Sequence, residues 1–478
     1  MKLQYTLVPA LAGRAFAGPV QSRAVSAAPV IAQMFQWSWD SVAQECTTFL
    51  GPAGYSYVQV SPAQEHPQGD EWSAEYQVVS YNITSKHGNR AQYANMISTC
   101  HKAGVKVIAD TLFNHMSGPY SGTAVGGSKF AAYSYPAVPF SNSNFHHCNN
   151  GHNDQIVNYS NATEVRFCEL DTLSDLATES DYVRGKLAAY GNDLISLGID
   201  GLRLDAAKHM PPADISNILS RLKKSLYITQ EVASIQSDAV KPTDYAGIGS
   251  VQGFDYIGWF KDAFTDDSKG IWILQNLDKQ GWVSSAKANV FVTNHDTERN
   301  GAAVTYRSPS NIYRNALVLS LAHSYGTPTV LSSYTFSQNT DGAPNGGKGD
   351  CTNNSGWLCQ HRQMAGMVGF RNRVGTAALT KWVAPSSQRI AFARGALGFV
   401  IINNSDTQWN STFATGMPKG TYCDISQVSS TSGVDSACTG VMQLVVDGSG
   451  NLKVTVPPRF SFAFHTGVKC TSSRCPTS

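Results

Sequence analysis

Three acidic residues end apolar, strand-like segments of this 478-residue chain. Asp205 ends the segment GLRLD, Glu231 ends YITQE, and Asp296 ends VFVTNHD. Since alternate side chains of a strand point the same way, Arg203 shares a face with Asp205. A guanidinium in that position would keep the carboxylate ionised near neutral pH, and an ionised carboxylate can act as a nucleophile. The pattern therefore predicts carboxylate chemistry at the rim of a barrel.

Short β-rich segments alternate with helix-like segments over the first two thirds of the chain. The predicted strands are Ile31–Phe35, Tyr55–Val60, Val105–Leu112, Gly201–Asp205, Tyr227–Val232, Gly253–Ile257, Val290–Asn294 and Thr329–Ser332. Amphipathic stretches between them include Ala91–Ala103, Asp181–Ser196, Pro212–Lys224 and Ile312–Tyr325. Eight such alternations predict an α/β fold of the (β/α)8 TIM-barrel class.

Two regions depart from this alternation. Roughly sixty residues rich in Gly, Ser, Asn and Tyr follow the third strand, and a segment that long is usually functional or a small domain. After about Trp382 the pattern changes to short alternating runs punctuated by Gly, Ser and Asn. We predict a catalytic barrel of residues 28–115 and 176–383, an inserted domain of residues 116–175, and a C-terminal antiparallel β-sandwich of residues 384–478.

The composition narrows the class of ligand. Lys and Arg total 36 and Asp and Glu total 34, so the formal net charge is only +2. A nucleic-acid-binding protein needs a basic face, and this balance argues against one. Charged residues make up 15% of the chain and aromatic residues 10%, which suits a neutral, hydroxyl-rich ligand such as a sugar. No apolar run after the N-terminus is long enough to span a bilayer, so no membrane partner is expected.

The N-terminus has the features of a secretory signal peptide. A lysine follows Met1, an apolar run covers residues 3–11, and small residues precede a cleavage site after Ala17. We predict a signal peptide over residues 1–17, with a second processing step near Arg23 as an option. A disordered N-terminus is the alternative.

Cysteines and glycosylation sequons agree with a secreted, extracellular protein. Ten cysteines, an even number, fit an oxidising compartment, and none has the C-x-x-C spacing of a zinc site. Six N-x-S/T sequons are consistent with a glycoprotein. They lie at Asn82, Asn158, Asn161, Asn353, Asn403 and Asn410.

Four motifs, taken in order, resemble those of the alpha-amylase family of retaining glycoside hydrolases, which has a (β/α)8 barrel. They are DTLFNH at residues 110–115, GLRLDAAKH at 201–209, EVA at 231–233 and FVTNHD at 291–296. The match extends from about Ile31 to Cys470. The segments FQWSW, VQVSP, WSAEYQ and SDYVR resemble the animal-type members most. One motif alone is weak, whereas four at the predicted strand positions are specific.

The resemblance implies a role for each acid. Asp205 would be the nucleophile, Glu231 the acid/base that protonates the glycosidic oxygen, and Asp296 a residue that binds sugar hydroxyls and stabilises the oxocarbenium-like state. The covalent route needs two carboxyl groups about 5 Å apart. Adjacent barrel strands are about 4.8 Å apart, so Asp205 and Glu231 can meet that spacing. Structural ion pairing is the alternative for each acid taken alone.

Four residues near the predicted strand ends would support the acids and contact substrate. Arg203 would fix Asp205, and the two could equally form an ordinary buried ion pair. His115 and His295 would donate hydrogen bonds to sugar hydroxyls, although a lone histidine is more often a core residue. Lys208 would contact a sugar bound beyond the cleavage point.

Trp72 and Tyr76 are four residues apart and could stack on a glucose ring, although core packing explains them equally well. The expected substrates are starch, glycogen and malto-oligosaccharides, cleaved at internal α-1,4 bonds by a monomer. A glucanotransferase or a maltogenic hydrolase on the same fold shares these motifs and is the nearest alternative. A catalytically inactive starch-binding protein would usually lack one of the three acids.

The resemblance also implies a calcium ion that bridges the barrel and the insertion. The matching positions are Asn114 and Asp175 by side chain, and Arg166 and His209 by backbone oxygen. Such oxygen ligands suit a hard cation. Asp171 is a nearby alternative to Asp175. The implied disulfides are Cys46–Cys100, Cys148–Cys168, Cys351–Cys359, Cys423–Cys438 and Cys470–Cys475, although sequence alone does not fix connectivity.

Chloride is not expected as a cofactor. Animal-type amylases hold an activating chloride with an arginine, an asparagine and a second basic residue before the Ser-Ser of the eighth strand. Arg203 and Asn294 match the first two positions, whereas the third is Thr329 in the segment TVLSS. An anion there would face one guanidinium instead of two, so we predict an enzyme that works without chloride.

Overall fold

The computed structural model describes residues 29–352, 355–430 and 441–470. Within these ranges, eight parallel strands close a barrel in which each strand pairs with the next and the last pairs with the first. The strands are β1 (Ile31–Met34), β2 (Tyr57–Val60), β3 (Lys106–Leu112), β4 (Gly201–Asp205), β5 (Tyr227–Gln230), β6 (Ser250–Gln252), β7 (Ala288–Val290) and β8 (Thr327–Ser332). The predicted fold class is confirmed.

Two of the eight strands lie at positions different from those predicted. The segment predicted as the sixth strand, Gly253–Ile257, opens the helix Phe254–Thr265, and β6 is only three residues long just before it. The helix buries Tyr256, Phe260 and Phe264 at helical spacing, so its apolar content concealed the short strand. Strand β7 ends at Val290, where the predicted seventh strand begins, and Asp296 therefore lies on the loop beyond it.

Helices occupy the connections between the strands. The longer ones are Arg90–Lys102, Asp181–Leu197, Pro212–Ser220, Phe254–Thr265, Ile312–Ala322 and Ala365–Val374, and shorter ones include Trp39–Glu45, Ala162–Phe167, Thr297–Asn300 and Gln360–Gln363. Local signals fix their ends. Asn89 and Gln92 form a capping box at one N-terminus, and Gly198, with φ of 106°, ends the helix that precedes β4. In the described part of the chain, no helix is both long and apolar enough to cross a membrane.

The two ends of the insertion after β3 pair with each other through backbone bridges. It contains a hairpin of Gly122–Thr123 and Lys129–Phe130 and the helix Ala162–Phe167. Bridges pair His115 with Asp175 and Phe145 with Leu176, so both ends of the insertion lie together beside the end of β3. The junction therefore brings together Asn114 and Asp175, two of the four predicted calcium ligands.

The C-terminal region forms two antiparallel sheets of four strands each within the described residues. Their strands are β9 (Leu379–Ser386), β10 (Arg389–Arg394), β11 (Gly398–Asn403), β12 (Trp409–Ala414), β13 (Gly420–Cys423), β14 (Gln443–Val446), β15 (Asn451–Val456) and β16 (Phe460–His465). One sheet has the order β9-β10-β11-β16 and the other β12-β15-β14-β13. This confirms the predicted antiparallel domain.

Three of the implied disulfides are present: Cys46–Cys100, Cys148–Cys168 and Cys351–Cys359. Cys423 and Cys470 are disulfide-bonded as well. Their predicted partners, Cys438 and Cys475, lie outside the described residues, as do the predicted signal peptide and the sequon at Asn353.

One of the sequons is inaccessible in the folded protein. Asn403 is fully buried at the end of β11. Its amide nitrogen donates hydrogen bonds to the carbonyl oxygens of Thr407 at 2.8 Å, Val456 at 3.2 Å and Pro457 at 2.9 Å. This nitrogen is the atom that a glycan would occupy, so a glycan on Asn403 is incompatible with the hydrogen bonds of the folded chain. Asn82, Asn158, Asn161 and Asn410 are exposed.

A buried ionic cluster joins the helix after β1 to the helix Gln360–Gln363. Glu45 accepts hydrogen bonds from His361 Nε2 at 2.7 Å and from Arg362 Nε and Nη2 at 2.7 and 2.6 Å. Burial opposes its ionisation, but these two partners prevail and lower the pKa of Glu45 to about 2. Cys351 lies close enough to complete a metal-ligand group with Glu45 and His361. Its sulfur is bonded to Cys359, however, so the cluster is structural.

Candidate active site

Arg203 lies at the centre of the carboxyl end of the barrel. Arg203 pairs with Asp110 of the neighbouring strand β3, and its side chain is 1% exposed. Nη1 donates to Asp110 Oδ1 at 2.9 Å and to Asp205 Oδ1 at 2.5 Å, and Nη2 lies 3.0 Å from Glu231 Oε2. One guanidinium thus faces three carboxylates, of which Asp110 was not recognised from the sequence as a functional residue.

The three carboxylates around Arg203 affect the pKa of Asp205. Burial raises the pKa of Asp205 well above its ordinary value, and the neighbouring Glu231 and Asp110 add to the rise against the effect of Arg203. Burial likewise raises the pKa of Asp110 to about 6. Arg203 acts against these effects, but one cation is shared by three anions, and the expectation that it keeps Asp205 ionised stays a prediction.

Glu231 is held by the turn that follows β4. It comes one residue after β5, its backbone nitrogen donates to Leu204 O at 2.9 Å, and its Oε2 accepts a hydrogen bond from Ala206 N at 2.8 Å. Ala206 has φ of 47°, a left-handed conformation that costs free energy for a residue with a Cβ. The strained turn directs its N–H group at the carboxylate and keeps Glu231 beside Asp205.

Asp296 reaches the same cleft from a loop and not from a strand end. It immediately precedes the helix Thr297–Asn300, and its Oδ2 lies 3.3 Å from Asn294 Nδ2 and 3.4 Å from His295 Nε2. Asn294 Oδ1 accepts a hydrogen bond from Thr297 N at 2.9 Å, which fixes the loop. Burial raises the pKa of Asp296, and Arg203 and Arg299 act against this rise.

His295 is a neutral imidazole in a stack of rings. It lies between Phe35 and Tyr76, with ring centroids 4.8 and 5.2 Å away. Burial and the nearby Arg203 lower its pKa to about 3. Gln33 Nε2 lies 3.1 Å from its Nδ1 and can only donate there, so the ring proton is on Nε2, which faces Asp296. Gln33 and Phe35 belong to the first strand and its end, and their roles were not predicted.

Most of the predicted residues line one cleft of about 370 Å³. It is lined by the three acids together with Trp72, Tyr76, His115, His295, Lys208 and His209. A second cleft of about 690 Å³ adjoins it and shares Tyr159 and Lys208. Lys208 donates to Asp238 Oδ2 at 2.7 Å and its Nζ lies 4.6 Å from the centre of the Tyr159 ring. Lys208 therefore stands where the two clefts meet.

Hydrogen bonds link Tyr76 to Asp110 of the Arg203 cluster, and His115 to Tyr76. Tyr76 donates from its hydroxyl to Asp110 Oδ2 at 3.0 Å. His115 Nε2 lies 3.0 Å from Tyr76 O, and its Nδ1 lies 3.3 Å from Asn114 Nδ2. Both ring nitrogens of His115 thus have protein partners, and a hydrogen bond to sugar would have to replace one of them. Trp72 is fixed by a hydrogen bond from its Nε1 to Asn339 O at 2.7 Å.

The predicted calcium ligands meet at the junction of barrel and insertion as two pairs. Asn114 and Asp175 are both buried, and Leu176 N donates to Asn114 O at 3.0 Å. His209 Nδ1 lies 3.0 Å from Val165 O, which places His209 beside the short helix that carries Arg166. The buried carboxylate of Asp175 and the amide of Asn114 are oxygen donors of the kind that a hard cation needs. The alternative ligand, Asp171, is exposed and lines the cleft instead.

Sequence reasoning also missed a partner of Asp175. His146 Nδ1 lies 2.6 Å from Asp175 Oδ2, and its Nε2 lies 2.9 Å from Glu179 Oε2. No local motif marked this histidine, which comes from the middle of the insertion. It orients the carboxylate in the way that a neighbour of a metal ligand does.

A (β/α)8 barrel with three convergent carboxylates in an aromatic-lined cleft defines a glycoside hydrolase. Comparison with known proteins specifies it further. The family model for the alpha-amylase catalytic domain matches residues 48–238, and that for the alpha-amylase C-terminal all-beta domain matches residues 382–467. The chain belongs to the alpha-amylase family.

Relatives from bacteria and animals cover nearly all of the chain. An alpha-amylase of Streptomyces violaceus is 44% identical over 411 residues, which are 85% of this chain and 71% of that protein. An alpha-amylase of Tenebrio molitor is 37% identical over 89% of this chain and 94% of its own length. A crystal structure of a mutant alpha-amylase I from Eisenia fetida with maltohexaose has a TM-score of 0.86 and 32% identity, and the match covers 92% of this chain and 98% of that one.

Proposed function

We propose that this alpha-amylase is a secreted enzyme that cleaves internal α-1,4-glucosidic bonds of starch, glycogen and malto-oligosaccharides with retention of configuration. One observation carries the proposal. Asp205 and Glu231 are held by two nitrogens of the same guanidinium at the ends of adjacent strands. Two neighbouring carboxyl groups that flank the scissile bond, one as nucleophile and one as acid/base, are what the retaining mechanism needs.

The reaction follows from the position of each acid. Asp205 attacks the anomeric carbon while Glu231 gives its proton to the departing glycosidic oxygen, which forms a glycosyl-enzyme. A water molecule then attacks the same carbon, Glu231 takes its proton, and Asp205 leaves as a carboxylate. Arg203 positions Asp205, and the Ala206 N–H group positions Glu231.

Asp296 and His295 would hold the reacting sugar. A carboxylate that accepts hydrogen bonds from sugar hydroxyls stabilises the positive charge that develops on the ring. His295 offers the Nε2–H group as a donor, and Trp72 and Tyr76 present ring surface for stacking in the same cleft. Lys208, between the two clefts, would contact the sugar on the leaving side of the bond.

A time course on soluble starch tests the proposal. We expect the polymer to shorten faster than reducing ends accumulate, and the first product detected by NMR to have the α configuration. A β product would remove Asp205 as the nucleophile. Longer glucans would indicate a glucanotransferase, a single short product from the start would indicate a maltogenic hydrolase, and no product would indicate a binding protein.

We propose that calcium binds at Asn114, Asp175, Arg166 and His209, the last two through their backbone oxygens. The ion would supply a fixed link between insertion and barrel, and no chemical step. A ligand that binds only the folded state raises its stability. Chelation should therefore lower the melting temperature. Asp175→Ala should abolish this response, whereas Asp171→Asn, the matched control, should keep it. An unchanged melting curve after verified metal removal would refute the site.

We propose further that chloride is not required. The third chloride position carries Thr329, whose hydroxyl oxygen accepts a hydrogen bond from Asn289 Nδ2 at 2.8 Å. Asn289 Oδ1 in turn accepts from Thr229 at 3.1 Å. Thr329, Asn289 and Thr229 are neutral and hydrogen-bond to one another across β8, β7 and β5. They therefore add no positive charge to that of Arg203. The proposed secretion is supported by three disulfides in the barrel and insertion, which form in oxidising compartments.

A further inference from the structure

Arg299 lies in a cage of aromatic rings beneath the cleft. It belongs to the short helix that follows Asp296, and its side chain is 3% exposed. The centre of its guanidinium lies 5.0 Å from the Phe35 ring, 5.5 Å from Trp72, 5.1 Å from Tyr334 and 4.5 Å from Phe336. A planar cation can face several rings at once, and burial strengthens each contact.

The hydrogen bonds of Arg299 do not account for its burial. Nη1 donates to His295 O at 3.0 Å, and the carboxylate of Glu298 is 3.7 Å away. Nε and Nη2 are buried without a hydrogen-bond partner among the described residues. Unpaired buried donors are costly, so a purely structural role would favour an apolar residue here. The side chain instead contacts the ring of one cleft residue, Trp72, and the backbone of another, His295.

We propose that Arg299 is a positioning residue that holds Trp72 and the His295–Asp296 segment in the geometry that binds substrate. The proposal rests on the sugar-binding role proposed for Trp72. Phe35 extends the support, because its ring packs against Arg299, Trp72 and His295 together. The cage thus links the stacking surface on one side of the cleft to the loop of Asp296 on the other.

Arg307 offers a matched control. Its guanidinium lies 4.0 Å from the Phe336 ring and donates to the Phe336 carbonyl, but it is exposed and lies outside the cleft lining. The two arginines therefore share one ring, and only Arg299 contacts Trp72 and His295. A lysine keeps the charge at either position but lacks the flat surface that faces several rings.

The test compares Arg299→Lys, Arg307→Lys, Trp72→Ala and the double variant Arg299→Lys/Trp72→Ala on maltoheptaose, with folding checked by circular dichroism. We expect Arg299→Lys to raise KM about tenfold, the size expected for loss of a desolvated cation–π contact, with a smaller change in kcat. Arg307→Lys should leave both constants unchanged. In the Trp72→Ala background, Arg299→Lys should raise KM no further, because coupled residues are not additive.

Each outcome decides between the roles. Equal effects of the two lysine variants, or additive effects of Arg299→Lys and Trp72→Ala, would overturn the positioning role. An unchanged KM in Trp72→Ala would instead show that the role proposed for Trp72 is wrong. If Arg299→Lys does not fold, Phe336→Leu removes one ring on the far side of the cage, and a rise in KM with kcat retained supports the proposal while no rise overturns it.

Discussion

The protein has two clusters of ionisable side chains that differ in their ratio of carboxylates to basic groups. At Glu45 one carboxylate meets two basic partners, His361 and Arg362. At Arg203 one guanidinium meets three carboxylates. The first cluster joins two helices outside the barrel and the second closes its carboxyl end. Burial alone therefore does not decide whether an ion-pair cluster stabilises the fold, because the ratio of carboxylates to basic groups also matters.

The two clusters affect stability with opposite signs. The fall in the pKa of Glu45 from 4.5 to about 2 corresponds to about 3 kcal/mol of stability at neutral pH. The pKa values of Asp110 and Asp205 are raised, so their ionised forms cost stability at neutral pH. This unfavourable free energy of the buried carboxylates can decrease when charge moves during the reaction.

The largest expected difference between the clusters is in activity. Asp205→Asn, Glu231→Gln and Asp296→Asn should each reduce kcat by at least about 10³-fold, as for groups that act together in one reaction. Glu45→Gln should retain most of the kcat of the wild type at a temperature where it is folded. Initial rates on starch measure both. Near-normal activity in any of the three cleft variants would remove that residue from the mechanism.

The second difference is in thermal stability at pH 7. Glu45→Gln should lower the melting temperature by a few degrees, because it removes an ionised carboxylate that two basic groups stabilise. Asp205→Asn should leave the melting temperature unchanged or raise it, because it removes a carboxylate whose burial is poorly compensated. Calorimetry at one fixed scan rate measures both. A lower melting temperature for Asp205→Asn would contradict the view that the catalytic cluster is under-compensated.

The third difference is in the pH dependence of stability. A lowered pKa gives stability that is present above pH 4.5 and is lost as the pH falls through about 2, so Glu45→Gln should flatten the melting curve against pH in that window. A raised pKa acts in the opposite sense. Ionised Asp110 has its full cost in stability above about pH 6, and this cost declines to nothing as the pH falls from about 6 to the ordinary pKa of 3.8. Asp110→Asn should therefore raise the melting temperature at pH 7 more than at pH 4. The same slope in all three proteins would refute both assignments.

The smallest expected effect is that of chloride, which should be none. Adding an anion beside Arg203 would increase an excess of negative charge, and Thr329 supplies no second cation. Activity in chloride-free buffer should match that in sodium chloride, sodium nitrate and an inert salt at equal ionic strength. Saturable activation by small monovalent anions would show that another cation completes a chloride site.

The sequence predicted the parts of this molecule that local patterns encode. The barrel followed from apolar runs and their spacing, and the acids Asp205 and Glu231 followed from strand ends. The position of strand β6 was not predicted, because three residues are too few to show a periodicity and the helix after it is more apolar than the strand itself. Asp296 was recognised by its motif, although the element assigned to it was wrong.

Contacts between distant segments could not be predicted. Gln33 lies beside the Nδ1 atom of His295 although 262 positions of sequence separate them, and Asp110 meets Arg203 only because β3 pairs with β4. His146 meets Asp175 through the fold of the insertion. The preference for Asp175 over Asp171 came from a resemblance and stays a prediction, which the burial of Asp175 supports. Pairing across the barrel creates these relations, and no single segment carries a signal for them.

The buried sequon at Asn403 sets an order of events for biosynthesis. The nitrogen that glycan transfer would use is the one that holds the turn after β11 to Thr407, Val456 and Pro457. In a compartment that modifies chains as they emerge, two processes compete for the same atom. A chain in which β11 pairs first hides the nitrogen and completes the sandwich, whereas a chain modified first carries a sugar where its own backbone must pack. In such a compartment, glycan transfer to Asn403 would have to precede the pairing of β11 with β16.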